Sequence, residues 1–316
     1  MRWSAFLLVL ALASGCAGRT GAPAPDGDFH TAVTHHLGVT RLDRAPLRVV
    51  TLGPADLDAA LALGVRPVGV GLPLSDQLPS WQRRPGWHPE TLRPGDDGYS
   101  VEAIAALHPD LILAGSDFYV DREYDRLSRI APTTAFDTAP DEDQWQTTTR
   151  QVGRILGRPG AAEELVQRTE QRLRDTAAAH PQLVGKRVAV TLAHGPGTLG
   201  VVRSPRDVSV RTLGELGVRL DPGVARLPGS GFSAQLGMEG LGVVDTDLLV
   251  TSYSSPALQS GLESSPVFRN LGVVRRGSYV PCTGEPWVAL REPGVLSIPY
   301  LVDAFVPRLA DAAARA

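Results

Sequence analysis

The chain has 316 residues, 43% of them hydrophobic and 21% charged, a globular composition long enough for two domains or one large one. Lysine and arginine total 31 against 34 aspartates and glutamates, a formal charge of −3, which argues against a nucleic-acid partner because such domains carry a basic excess. The two cysteines, Cys16 and Cys282, exclude a disulfide-stapled scaffold and a four-cysteine zinc site.

Residues 1–15 read as a secretory signal. Arg2 gives a charged start, and the apolar run 3–13 is too short for the ~20 residues of a membrane helix. Leu12-Ala13-Ser14-Gly15-Cys16 resembles a bacterial lipobox, in which cleavage before the cysteine leaves Cys16 lipidated. Residues 16–30 are small and rich in Gly and Pro, the composition of a flexible tether. The expectation is a body held at the cell membrane by a lipid anchor, facing the extracytoplasmic side, with Cys282 left unpaired.

Beyond residue 31 the chain alternates short apolar strands with helices. Residues 48–52 read as a strand, 56–64 as a helix stopped by Gly64, and 67–70 as the next strand. Residues 101–108 follow as a helix, 110–114 as a buried strand, 124–130 as a helix and 133–136 as an edge strand. Such alternation implies parallel βα units. The segment 141–185 breaks the rhythm with two polar helices, 142–156 and 161–179, parted by Gly157-Arg158-Pro159-Gly160. At ~1.5 Å per residue the second is long enough to bridge two lobes. The α/β rhythm then resumes with strands at 187–192, 248–251 and 279–280. Helices are expected at 208–216, 238–244 and 299–314.

Two stretches repeat. Residues 101–113 align without a gap on 238–250, placing Glu102 on Glu239 and Asp110 on Asp247. In each copy an acid stands in the first turn of a helix, where it complements the helix dipole, and an Asp stands at the mouth of a buried strand. Enzyme motifs are weak. Gly195-Pro196-Gly197-Thr198-Leu199-Gly200 fits the dinucleotide fingerprint, but that fingerprint needs a helix opening at its end. Val201, Val202 and Pro205 favour a turn and a second strand instead. No nucleophile elbow occurs, and Lys186 is followed by Arg187, so there is no Walker-type sequence.

From about residue 31 onward the chain resembles ABC-transporter substrate-binding lipoproteins of the helical-backbone class (class III), in their ferric-siderophore-binding group. The resemblance is carried by 34–50, 60–70, 100–113, the interlobe helix region from Trp145, and Leu296-Ser297-Ile298-Pro299-Tyr300-Leu301-Val302-Asp303, in that order. It implies an α/β fold of two Rossmann-like lobes, residues 31–140 and 186–316, joined by the helical linker 141–185, with the ligand cleft between them. It implies a monomer that captures a ferric siderophore, adjusts its lobes modestly and docks on an ABC permease with its ATPase. Glu102 and Glu239 match the family's permease-docking glutamates. No catalytic residue, metal or cofactor is expected.

The same resemblance places ligand contacts on loops at the carboxyl ends of the strands. Phe118, Tyr119, Phe232, Tyr253 and Trp287 are the aromatic candidates, and Arg203 and Arg206 the cationic ones, because a guanidinium fork grips oxygen clusters. Haem and cobalamin are the alternatives within the class, haem calling for an axial pair such as His194 with Tyr119 or Tyr253. A cell-envelope enzyme on the same frame is the alternative from another class.

Overall fold

The computed structural model describes residues 29–139, 142–229, 231 and 233–316. The expected signal segment, Cys16, most of the tether and Phe232 lie outside the described residues.

An antiparallel hairpin, β1 (Thr31–His35) and β2 (Gly38–Leu42), precedes the first lobe. That lobe is built on a parallel sheet of β3 (Val49–Thr51), β4 (Gly69–Gly71), β5 (Glu90–Leu92) and β6 (Leu111–Leu113), in the order β5-β4-β3-β6. Every residue of β3, β4 and β6 is buried. These strands therefore read as continuous apolar runs, as expected when both faces of a parallel sheet are covered. Gly71 must be glycine, since a Cβ there would stand 2.5 Å from both the Leu52 carbonyl oxygen and the Tyr99 hydroxyl.

The second lobe holds β7 (Arg187–Gly195), β8 (Thr198–Val202), β9 (Arg219–Leu220), β10 (Ser233–Gly237), β11 (Leu248–Tyr253) and β12 (Tyr279–Pro281). They run in the order β10-β8-β7-β11-β12, with β9 beside β7. The pairs β11–β7, β11–β12 and β7–β9 are parallel, and β8 folds back antiparallel on β7. Gly195 to Gly200 thus forms a hairpin, turning at Gly197 with φ +69, and no helix opens on the Gly-rich sequence.

The helices Trp145–Ile155 and Pro159–Ala179 join the lobes. Val152, Ile155 and Ala162 pack with Ala59, Ala60 and Leu63 of the first lobe. Trp145, Val166 and Leu173 pack with Val188, Leu216 and Leu309 of the second. The second helix has 21 residues, about 31 Å at ~1.5 Å per residue, so its two ends serve two different cores.

The repeat is structural. The Asp110 carboxylate accepts the N–H groups of Leu47 and Arg48, both at 2.8 Å, at the mouth of β3. Asp247 accepts the Arg187 N–H at 2.9 Å and its guanidinium at 3.1 Å, at the mouth of β7. The copies differ in their helices, for Val101–Ala106 is α-helical but Met238–Val244 is a 3-10 helix. Gly240 and Gly242 stand where the first copy has Ala103 and Ala105, and each glycine weakens an α-helix by about 1 kcal/mol relative to alanine.

Two expected elements change. The edge strand at 133–136 reduces to a single bridge between Thr133 and Ile112, because the Ala135 carbonyl accepts the Gln151 side chain instead of a strand partner. The final helix is two, Ser297–Ala304 and Val306–Ala313. Pro307 lacks the N–H that would continue the first.

Candidate functional site

Both sheets turn the carboxyl ends of their parallel strands toward a cleft of about 720 Å³ between the lobes. The first lobe walls it with the segment after β4, from Leu72 to Pro79, and with Arg93 and Pro94 after β5. The second lobe supplies Leu192 of β7, Tyr253 of β11 and, beyond β12, Glu285 and Trp287. Loops at this edge are free of the ladder's hydrogen bonds, so their side chains are available to a ligand.

The base of the cleft is latched. Glu285 accepts the Ser80 N–H and the Ser80 hydroxyl, each at 2.7 Å, and Arg83 at 3.3 Å. Trp81, from the same first-lobe segment, lies against Tyr300 with centroids 4.7 Å apart and packs on the second-lobe core. Below them Asp58, on the first-lobe helix Pro54–Ala62, accepts the N–H groups of Leu296 and Ser297 at 3.2 and 2.8 Å, and the Gln82 amide at 2.8 Å. A first-lobe carboxylate thereby caps the start of a second-lobe helix.

Acids gather behind this base. Burial pushes the Asp58 carboxyl up to about 6 against the pull of its hydrogen bonds. Burial, reinforced by the negative charge of Asp58, pushes Glu292 up to about 8. Glu292 is half-buried as a residue, but its Oε1 is sealed and has no hydrogen-bond partner among the described residues. Burial likewise raises Asp56 to about 6 and Asp117 to about 7. Asp56 is held by the N–H groups of Gly115 and Ser116 at 3.1 and 2.7 Å and by the Ser116 hydroxyl at 2.8 Å. Asp207, by contrast, is buried as half of an ion pair with Arg291 at 2.8 Å.

The candidate residues distribute as follows. Tyr253 and Trp287 line the cleft. The Tyr253 hydroxyl lies 2.5 Å from that of Tyr279, which donates to Glu263 at 2.8 Å, and burial pushes Tyr253 up to about 12. Phe118 and Tyr119 follow β6 at the same edge of the first sheet. Phe118 is 48% exposed and meets Tyr119 edge-on, with centroids 5.7 Å apart. Arg203 donates to the Leu227 carbonyl at 2.7 Å, and Arg206 pairs with Glu142 at 3.0 Å. Both guanidiniums therefore have protein partners away from the described cleft lining. His194 bonds the Gln235 amide oxygen at 2.8 Å.

Arg83 and Arg93 wall the cleft and escape a reading by sequence. Arg93 pairs with Asp76 and donates to the Asp76 carbonyl at 2.7 Å. Its position follows from β5, a three-residue strand with two exposed residues. Its only sequence signal is Glu90-Thr91-Leu92 between Pro89 and Pro94.

Glu102 and Glu239 are both exposed. Ser100 caps the first helix by accepting the Ala103 N–H at 3.2 Å and donates to Glu102 at 3.1 Å. The Glu102 backbone N–H and the Ser100 hydroxyl hold that carboxyl below its ordinary range. Tyr99, next to this helix start, donates to the carbonyl of Leu52 just past β3, at 3.3 Å. Gly237, next to Glu239, pairs with Thr198 beside the end of β7. Both glutamates therefore stand at the carboxyl edge of their sheets, one per lobe, on the side where the cleft lies.

Residues 49–282 match the periplasmic binding protein family, and the chain belongs to it. It is 28% identical over 258 residues to the achromobactin-binding periplasmic protein of Dickeya dadantii, a match covering 77% of this chain and 80% of that one. It is 31% identical over 180 residues to YhfQ of Bacillus subtilis, covering 54% of this chain and about half, 53%, of that relative's length. The crystal structure of the iron uptake ABC transporter substrate-binding protein PiaA from Streptococcus pneumoniae superposes with a TM-score of 0.74 at 25% identity, covering 90% of this chain and all of that one.

Proposed function

We propose that this periplasmic binding protein is the substrate-binding component of an ABC importer, capturing a ferric siderophore in the interlobe cleft and delivering it to a membrane permease. The cleft carries the reading. It is open between two lobes and walled by Trp287 and Tyr253 with two arginines at its rim, and its volume falls in the ~300–1,000 Å³ range of small-molecule sites. The relatives named for achromobactin binding and iron uptake support the same reading.

Capture needs no bond to be broken. Aromatic walls exclude water from the ligand, and the latch at Glu285, Trp81 and Asp58 restricts lobe motion to a modest adjustment. Glu102 and Glu239 then present one exposed carboxylate per lobe to cationic residues on the permease. The lipid anchor at Cys16 keeps the protein at the extracytoplasmic membrane face. The body holds its ligand without turning it over.

Titration of intrinsic tryptophan fluorescence with hydroxamate, catecholate and mixed ferric siderophores tests this reading. Saturable quenching by at least one, with the ligand recovered unchanged, is expected. No quenching by any of them, or conversion of the bound ligand, would overturn it.

A further inference from the structure

The charged groups on the cleft wall cancel. Among the described lining residues, Arg83 faces Glu285 and Arg93 faces Asp76, two cations against two carboxylates. Arg291, 6.0 Å from the Trp287 ring centroid, is paired with Asp207. Arg206, paired with Glu142, and Arg203, bonded to backbone carbonyls, stand outside the described lining. The groups buried behind the base, Asp58 and Glu292, are acids.

Resting on the siderophore reading, we infer that the cleft is built for an electroneutral ferric complex, in which three singly charged bidentate groups such as hydroxamates balance the ferric ion. A tris-catecholate complex keeps three negative charges. Moving those charges from water into a cleft of zero net charge forfeits hydration with no cationic surplus to replace it. An arginine recruited to the ligand would also strand its own carboxylate at the same wall. Leu72, Leu74, Pro79, Pro94 and Trp287 supply apolar surface, which suits a complex with its charge neutralised inside.

The test compares dissociation constants of the full chain for a neutral ferric tris-hydroxamate and a trianionic ferric tris-catecholate of similar size, at low and high salt. The neutral complex is expected to bind at least about tenfold tighter, with an affinity that changes by less than about twofold with salt. The variant Asp76→Asn, which releases Arg93 at an exposed position, is expected to tighten binding of the trianionic complex several-fold. Tighter binding of the trianionic complex by the native chain, strong salt dependence of the neutral one, or no response to Asp76→Asn overturns the inference while leaving the receptor reading standing. Failure of every ferric complex to bind overturns both.

Discussion

Asp58 of the first lobe accepts the backbone N–H of Ser297 in the second at 2.8 Å. The two residues are far apart in sequence, and their bond closes the base of the cleft from below. Gly294 approaches so closely that a Cβ there would stand 2.6 Å from the same carboxylate oxygen. The lobes thus meet through a buried hydrogen-bonded contact as well as through the bridging helices.

Replacing Asp58 with Ala leaves the Leu296 and Ser297 N–H groups and the Gln82 amide without their acceptor. Unsatisfied buried donors cost about 1–3 kcal/mol, so Asp58→Ala is expected to lower unfolding free energy by about 2 kcal/mol in urea titrations. A loss below about 0.5 kcal/mol would show that the contact is dispensable.

Stability should fall as pH rises. Asp58, Asp117 and Glu292 have native values raised to about 6, 7 and 8. A raised acid binds its proton more tightly folded than unfolded, so its contribution is fully present below the ordinary carboxylate range and is lost as pH climbs through the raised value. Each such proton gives a slope of up to about 1.4 kcal/mol per pH unit. Chemical unfolding from pH 5 to 8 is expected to show declining stability, and Glu292→Gln to flatten the upper part of the decline. Stability that rises over this window refutes the assignment.

Asp110 and Asp247 clamp equivalent strand starts in separate sheets. Asp110→Ala and Asp247→Ala are each expected to cost about 1–2 kcal/mol. The double variant should lose the sum within about 0.5 kcal/mol, because distant sites add. A larger coupling energy would mean that the two repeats are not independent units.

Glu102→Ala with Glu239→Ala is expected to abolish ligand uptake in cells while leaving the dissociation constant for the ligand within about twofold of the native value. Both side chains are exposed and lie outside the described cleft lining. Loss of ligand affinity would remove them from the docking surface.

Trp287→Ala, by contrast, removes an aromatic wall of the cleft. It is expected to weaken ligand binding at least about tenfold, as truncation of a buried aromatic anchor does. Unchanged affinity would place the ligand elsewhere.

Local chemistry was legible in the sequence. The paired helix-plus-Asp units, the bridging helix and the hairpin at Gly195 all follow from nearest-neighbour residues. Tyr253 and Trp287 could be nominated only through the family resemblance, which places ligand contacts on loops at the carboxyl ends of the strands, and both line the cleft. The rest depends on contacts between residues distant in sequence. Nothing near Arg206 announces Glu142, and nothing near Asp58 announces Ser297. Arg93 reaches the cleft through a three-residue strand too short and too exposed for periodicity to register, and Arg83 through the long irregular segment after β4. Gly240 and Gly242 were visible, yet their effect on helix type outweighed a repeat that otherwise predicted an α-helix.

Native mass spectrometry of the protein after incubation with ferric siderophores, haem and cobalamin tests the central claim most directly. The expected result is a stoichiometric one-to-one complex with at least one ferric siderophore. Binding confined to haem or cobalamin, or no retained ligand at all, would contradict it.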